Sequence, residues 1–418
     1  MKKIINKCNI IPIHQIDFPI SYKNIIPETM FAIIVYGYME GIYSTRDLEK
    51  ACQRDINFRW LLQGQSPPKH NSIDRFKRER LAGCIENLFN QLVKKLRELN
   101  EIQFKNIFID GTKIEASANR YTFVWKKSID KFEDRLQKKI KESLIKMNHD
   151  LNLCLIITNA KISVQDANYI LDSIRIMIEA NNIEFVYGKG KRKSKFQRYT
   201  EQLNEFIEKQ NKYNEYNSIF NGRNSFSKTD HDATFMHMKE DHMKNGQLKP
   251  AYNIQIGVEG EYIVGVDISS ERSDQLTFIP FLDRLEKNLN QKYESVTADA
   301  GYESEENYAY LESKKQEAFI KPANYEKSKT KKFKSDISKK ENMYYNTDED
   351  YYICASGKKM LLKGTKKKKT KSGYETTVSI YECEDCDGCE YKNKCTKAKG
   401  NKQIHVHDPS ISLVDILF

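Results

Sequence analysis

The order of local patterns along the chain predicts a mixed α/β fold: strand, long helical insert, β-hairpin, helix, strand, helix, strand. Three observations carry that prediction. FKNIFIDGTKIEA (104–116) switches the chain to β character. KPAYNIQIGVEGEYIVGVDIS (249–269) reads as a hairpin, two alternating runs flanking Glu259-Gly260. SVTADA (295–300) and AFIKP (318–322) read as short strands on either side of a helical stretch, 304–314. One α/β domain over 101–323, with helices inserted at about 120–245, accounts for this order.

Ahead of that domain, residues 1–100 read as all helical after an irregular lead-in to residue 26. Pro27 suits a first helical turn, and Phe31, Ile34, Val35 and Tyr38 recur at helical spacing. Residues 43–62 fit two short helices with Thr45 as N-cap. GQSPPKH (64–70) is a loop, and 71–100 reads as one long amphipathic helix with a stripe from Ile73 and Phe76 through Ile85 to Leu96. Arg75, Lys77, Arg78 and Arg80 could face a duplex, or form a solvated helix face.

At Asp110 two readings stay open on local sequence. Asp110-Gly111 between NIFI and TKIEA is also a good two-residue hairpin turn. Residues 121–222 are mostly helical, with stripes such as Ile129, Phe132, Leu136 and Ile140, and Phe196, Tyr199, Leu203 and Phe206; they predict a helical hairpin with paired seams. Asp230, His231 and Asp232, followed by His237 and His242, fit a polar turn before a strand better than a metal site. Glu303, Glu305 and Glu306 open a helix, where acids suit the dipole.

Composition narrows the partners. The 418 residues carry 69 Lys and Arg against 58 Asp and Glu, a net charge of +11 that fits a polyanion such as nucleic acid. Residues 324–402 alone hold 20 Lys, no Arg and 12 acids, so +8 of that surplus. Lysine is a flexible point charge, suited to positioning a phosphate backbone and not to reading bases. The basic start of Met1–Ile13 is broken by Asn6, Asn9 and Pro12, which argues against a secretory signal. Met30–Met39, the longest apolar run, is too short to span a membrane. The expectation is a cytoplasmic, nucleoid-associated protein with its nine cysteines as thiols or metal ligands.

Two constellations carry chemistry. Asp110 and Asp299 are acids at strand ends, far apart in sequence, and acids brought together in one sheet are what two-metal phosphodiester chemistry requires. Hard Mg²⁺ or Mn²⁺ would be the ions. Cys383-x2-Cys386-x2-Cys389-x5-Cys395 suits tetrahedral Zn²⁺, with Cys354 able to replace one ligand. An iron–sulfur cluster is the rival; the final spacing of five and the absence of a following Pro favour zinc. Four reduced thiols without metal is the plain alternative.

FIDGTKIEA, TDHDATFMHMKEDHMKNGQLKPAYNIQIGVEG (229–260) and TADAGYESEENYAYLE (297–312) together resemble bacterial insertion-sequence transposases of the DDE class. Residues 43–76 resemble the N-terminal helical domain of those proteins, and the cysteine cluster fits their late insert. The resemblance covers roughly residues 20–402. It implies an RNase H-like mixed sheet with a long helical insertion, an N-terminal helical DNA-binding domain, and a Lys/Cys-rich insert over 324–402. It implies Asp110 and Asp299 as the first two catalytic acids, double-stranded DNA as partner (terminal inverted repeats and target), and action as a homodimer. It favours the strand reading at Asp110. The family's third acid, a Glu, is expected after the cysteine cluster. The 16 residues after Lys402 hold no Lys or Arg, so 403–418 is expected to be a tail, out of frame, and the chain catalytically incomplete. A non-catalytic DNA-binding derivative and a zinc-stapled nucleic-acid-binding protein are the other readings.

Overall fold

The computed structural model describes residues 25–407 except 154, 156, 158, 159, 239–246 and 371. In chain order the first elements are α1 (Pro27–Met39), α2 (Thr45–Arg54), α3 (Ile56–Leu62), α4 (His70–Phe76), α5 (Ile85–Glu98), β1 (Asn106–Glu115) and β2 (Phe123–Trp125). Next come α6 (Lys126–Leu151), α7 (Val164–Ala180), α8 (Lys195–Phe220), β3 (Ser225–Ser227), β4 (Thr234–His237), β5 (Leu248–Glu259) and β6 (Tyr262–Ser269). Then follow α9 (Asp274–Leu289), β7 (Ser295–Ala298), α10 (Glu305–Ser313) and β8 (Glu317–Ile320). Five strands complete the set: β9 (Tyr344–Asn346), β10 (Tyr351–Ile353), β11 (Lys359–Lys369), β12 (Glu375–Cys383) and β13 (Gln403–His407). The chain divides into two units, one of Met1–Asp110, Ile256–Asp267 and Gln275–Phe418, the other of Gly111–Gln255 and Ile268–Asp274. Among the described residues no helix is long and apolar enough to cross a membrane.

In the first unit, α1 to α4 pack around Ile33, Leu48, Cys52, Phe58, Ile73 and Phe76. The helix expected over 71–100 is interrupted by a π-helical turn at Lys77–Leu81 and a break at Gly83 and Cys84 before α5. Gly carries about 1 kcal/mol of helix cost relative to Ala, so the break falls where it is cheapest. Ile73, Phe76 and Leu88 belong to the N-terminal cluster, whereas Val93, later in α5, packs with the sheet. Ile85, assigned to that stripe, is exposed.

The sheet of this unit runs β6–β5–β1–β7–β8, taking β5 from Ile256 onward. β7 pairs parallel with both β1 and β8. Ile107, Ile109, Val264, Phe278, Phe281, Val296, Tyr302 and Leu311 form its core. Gly257 and Gly265 let α9 sit close: a Cβ on Gly257 would lie 2.7 Å from Ile107 Cδ1 and 3.0 Å from Phe281 Cζ. The β5–β6 turn is Gly260-Glu261, both at positive φ, one residue later than expected. Glu259 stays in the strand because its buried carboxylate accepts the N–H groups of Gln103 (2.9 Å), Phe104 (3.1 Å) and Lys105 (3.4 Å). Those bonds hold Phe104 at φ +59°, a left-handed conformation uncommon outside glycine.

A second sheet in this unit has the order β13–β12–β11–β10–β9, antiparallel throughout. Gln403–His407 were expected to open a tail; they form its edge strand instead, with Ile404 and Val406 buried beside Met360 and Tyr381. Alternating Ile404 and Val406 on one face give the segment a reason to pair. Residues 408–418, including Asp408 and Asp415, lie outside the described residues.

The second unit holds three long helices where a helical hairpin was expected. The stretch at 164–180 forms α7, and its Ala167, Ile170 and Ile174 share one core with Ile140, Leu144 and Met147 of α6 and Leu203 and Phe206 of α8. α7 opens on a capping box between Ser163 and Asp166. Buried Gln137 and Gln210 bond across the α6–α8 seam at 3.0 Å, and Gln210 reaches Glu133 at 2.9 Å. β2 pairs with β3, and β4 with the first half of β5.

Candidate functional site

β1 runs unbroken through Asp110 and Gly111, so no hairpin turn forms there. Its alternation buries Ile107 and Ile109 and turns Phe108 and Asp110 to the opposite, exposed face. The parallel register with β7 ends on Ile109 opposite Ala298. Asp110 is the next residue of β1, and Asp299 is the first residue past the carboxyl end of β7. Ser295 fixes this register by donating to Asn106 Oδ1 at 2.7 Å.

Asp299 caps a tight turn, accepting the Gly301 N–H at 2.9 Å. That turn is anchored by buried Tyr302, whose ring lies 5.5 Å from Phe278. Just past β8, Lys321 bonds Glu326 at 2.9 Å. Its ammonium is held above the ordinary lysine range chiefly by Glu326, and Asp299 adds to the effect. Sequence reasoning gave Lys321 no role, although it directly follows a strand parallel to that of Asp299. The acids after Asp299 are committed elsewhere. Glu303 accepts the Ala323 N–H at 2.6 Å, and Glu305 and Glu306 accept from the β11–β12 hairpin. Among the described residues, no three His, Cys, Asp or Glu side chains stand together in a way that could hold a metal ion.

Asp230, His231 and Asp232 form the polar turn. Asp230 accepts the Tyr252 hydroxyl at 2.8 Å, and the Asp232 carbonyl accepts from Arg223 (2.8 Å) and Ser270 (2.7 Å). Burial, then Asp230, pushes the Tyr252 hydroxyl up to about 12. His237 is exposed, and His242 lies outside the described residues. Of the basic residues after the Pro loop, Arg78 pairs with Asp74 and Lys77 lies 5.1 Å over the Tyr38 ring.

Cys354, Cys383, Cys386, Cys389 and Cys395 are free thiols on the segments around the β10–β11 turn and the end of β12, without the close grouping of three that would hold an ion. Cys383 closes β12, Cys386 and Cys389 follow in the loop, and Cys395 ends a single helical turn. Cys354, in the β10–β11 turn, interacts with Cys383, which in turn interacts with Cys386. Cys395 lies within electrostatic reach of Cys354, Cys386 and Cys389. Burial pushes the Cys383 thiol up to about 12. The Lys402 N–H donates to Cys386 Sγ at 3.3 Å.

Three stretches of the chain match known protein families. Residues 20–79 match a family described as Transposase domain (DUF772). Residues 223–381 match one described as Transposase DDE domain, and residues 353–414 match a second of the same description. No curated protein and no solved structure matches the chain.

Proposed function

The chain belongs to the DDE transposases of insertion sequences, and from that premise we propose that Asp110 and Asp299 together hold a divalent metal for DNA strand cleavage and transfer. The observation that carries this reading is the β1–β7 register, whose last pair is followed on each segment by one of the two acids, both exposed. Membership implies DNA as partner and Mg²⁺ or Mn²⁺ as metal. The strand order β6–β5–β1–β7–β8, with β1, β7 and β8 parallel, supports an RNase H-like sheet in the 101–323 domain, its helical insertion lying between β1 and β5.

Two exposed oxygen donors on adjacent strands fit a hard ion. When bound, such ions activate water or a 3′-hydroxyl and stabilise the leaving oxygen. The chain's own part is positioning. Buried Ile107, Ile109, Val296 and Ala298 lock the strands, so the carboxylates do not drift. Lys321 sets a positive charge near Asp299, where a phosphate oxygen would approach. The described residues supply two carboxylates, and we expect them to bind metal and DNA with little strand transfer. Nicking of duplex DNA in Mn²⁺, with and without Asp110→Asn and Asp299→Asn, tests this. Vigorous cleavage lost in Asp299→Asn would refute incompleteness while supporting the site.

In the same reading, residues 1–100 bind the terminal inverted repeats, a homodimer pairs two ends, and the protein works at the nucleoid. Cys383, Cys386, Cys389 and Cys395 would hold a structural Zn²⁺ with Cys354 as the exchangeable neighbour. Support comes from the Cys-x2-Cys-x2-Cys-x5-Cys spacing, from the pairwise nearness of Cys354 to Cys383 and of Cys383 to Cys386, and from the N–H···S bond to Cys386.

A further inference from the structure

β11 and β12 outrun their sheet. β10 covers only Lys359–Leu361 of β11, and β13 covers only Val378–Glu382 of β12. The stretch Lys366–Lys369, paired with Glu375–Val378, is therefore a two-stranded ribbon over most of its length. Such a ribbon is marginal in water on its own. Here it is tied down at its tip: Thr376 donates to Glu305, and Ser372 and Thr370 donate to Glu306, the first two residues of α10. Glu305 lies six residues beyond Asp299, a span of at most about 20 Å.

The ribbon's charge is one-signed. Lys366, Lys367 and Lys368 are exposed, and each stands across from a neutral residue, Val378, Thr377 and Thr376 respectively. Lys369 lies 3.4 Å from Glu375. The other lysines of β11 are paired, Lys359 with Glu349 and Lys363 with Glu382. Among the described residues no acid pairs with these three lysines; adjacent like charges repel one another in the free protein, and a polyanion relieves that repulsion. Lysine favours the phosphate backbone over base edges.

Resting on the transposase reading above, we infer that this ribbon is a duplex-DNA backbone clamp, held by Glu305 and Glu306 on the side of the sheet that carries Asp299. Lys366, Lys367 and Lys368 contact phosphates and carry no sequence information.

The test is binding of the full chain to mixed-sequence linear duplex DNA across a salt series. Each phosphate contact contributes about 0.9 to the slope of log affinity against log salt, so K366Q/K367Q/K368Q should flatten that slope by about 2.7. The arginine triple, K366R/K367R/K368R, keeps the charge and should keep the slope, which separates lost contact from lost fold. An unchanged slope in the glutamine triple, with the wild type binding DNA, overturns the clamp and leaves the transposase reading standing. A wild type that binds no duplex overturns both.

Discussion

Removing the Glu259 carboxylate should loosen the entry to β1 and with it the strand that carries Asp110. Glu259 is buried and accepts three backbone N–H groups, at 2.9, 3.1 and 3.4 Å, from the turn that places Phe104 at φ +59°. A hydrogen bond to a charged group contributes about 1.5–3 kcal/mol, the longest of the three less. The left-handed conformation of Phe104 costs about 1–3 kcal/mol and needs a partner to persist. Because the three bonds act as a unit and do not add, Glu259→Ala should cost about 3–5 kcal/mol locally. Glu259→Gln, which keeps one acceptor oxygen, should cost less. Hydrogen exchange at Gln103, Phe104 and Lys105 is the assay, since a chain of two units gives no single unfolding free energy. A loss of about 3 kcal/mol raises exchange there roughly 150-fold where exchange follows the opening equilibrium. Amides at 103–105 that exchange within about threefold of wild type in Glu259→Ala would show that the carboxylate does not hold the turn.

Two further outcomes follow. Asp150 is held down to about 2, first by the Tyr199 hydroxyl and then by Lys195, so its folded value lies below the ordinary 3.8. Its contribution to docking α6 on α8 is therefore present above that ordinary value and is lost as pH falls toward about 2; Asp150→Asn should flatten acid loss of helical circular dichroism over that window, and superimposable curves would contradict it. Gently purified chain should carry about one zinc ion, and Cys386→Ser should lower that content and loosen the β9–β13 sheet; neither zinc nor iron in elemental analysis would remove the proposed metal.

Much of the architecture was legible because burial writes period-two and period-three-to-four patterns into sequence. Ile107 and Ile109 announce β1, and the Ile140 and Leu203 stripes announce α6 and α8. Local propensity misled where tertiary demand won. Asp110-Gly111 has good turn chemistry, yet β1 runs extended through it beside β5, beyond the end of its pairing with β7. The 71–100 stripe is interrupted at Lys77–Leu81 and at Gly83-Cys84, although its apolar positions Ile73, Phe76 and Leu88 all reach one core. Gln403–His407 was judged by its missing lysines, when the alternation of Ile404 and Val406 was the better signal. At the candidate site the positions of Asp110 and Asp299 at the ends of β-patterned stretches were legible, and their role is the proposal made above. Their register, the nearness of Lys321 and the docking of the lysine ribbon on Glu305 and Glu306 depend on contacts between segments far apart in sequence.

The most direct test of the central claim is Mn²⁺ binding, read by electron paramagnetic resonance, in the wild type, Asp110→Asn and Asp299→Asn. If the two carboxylates share an ion, each substitution alone should abolish the same bound signal, and the double variant should look no worse than either single one. Binding that survives unchanged in both single variants would contradict the shared site.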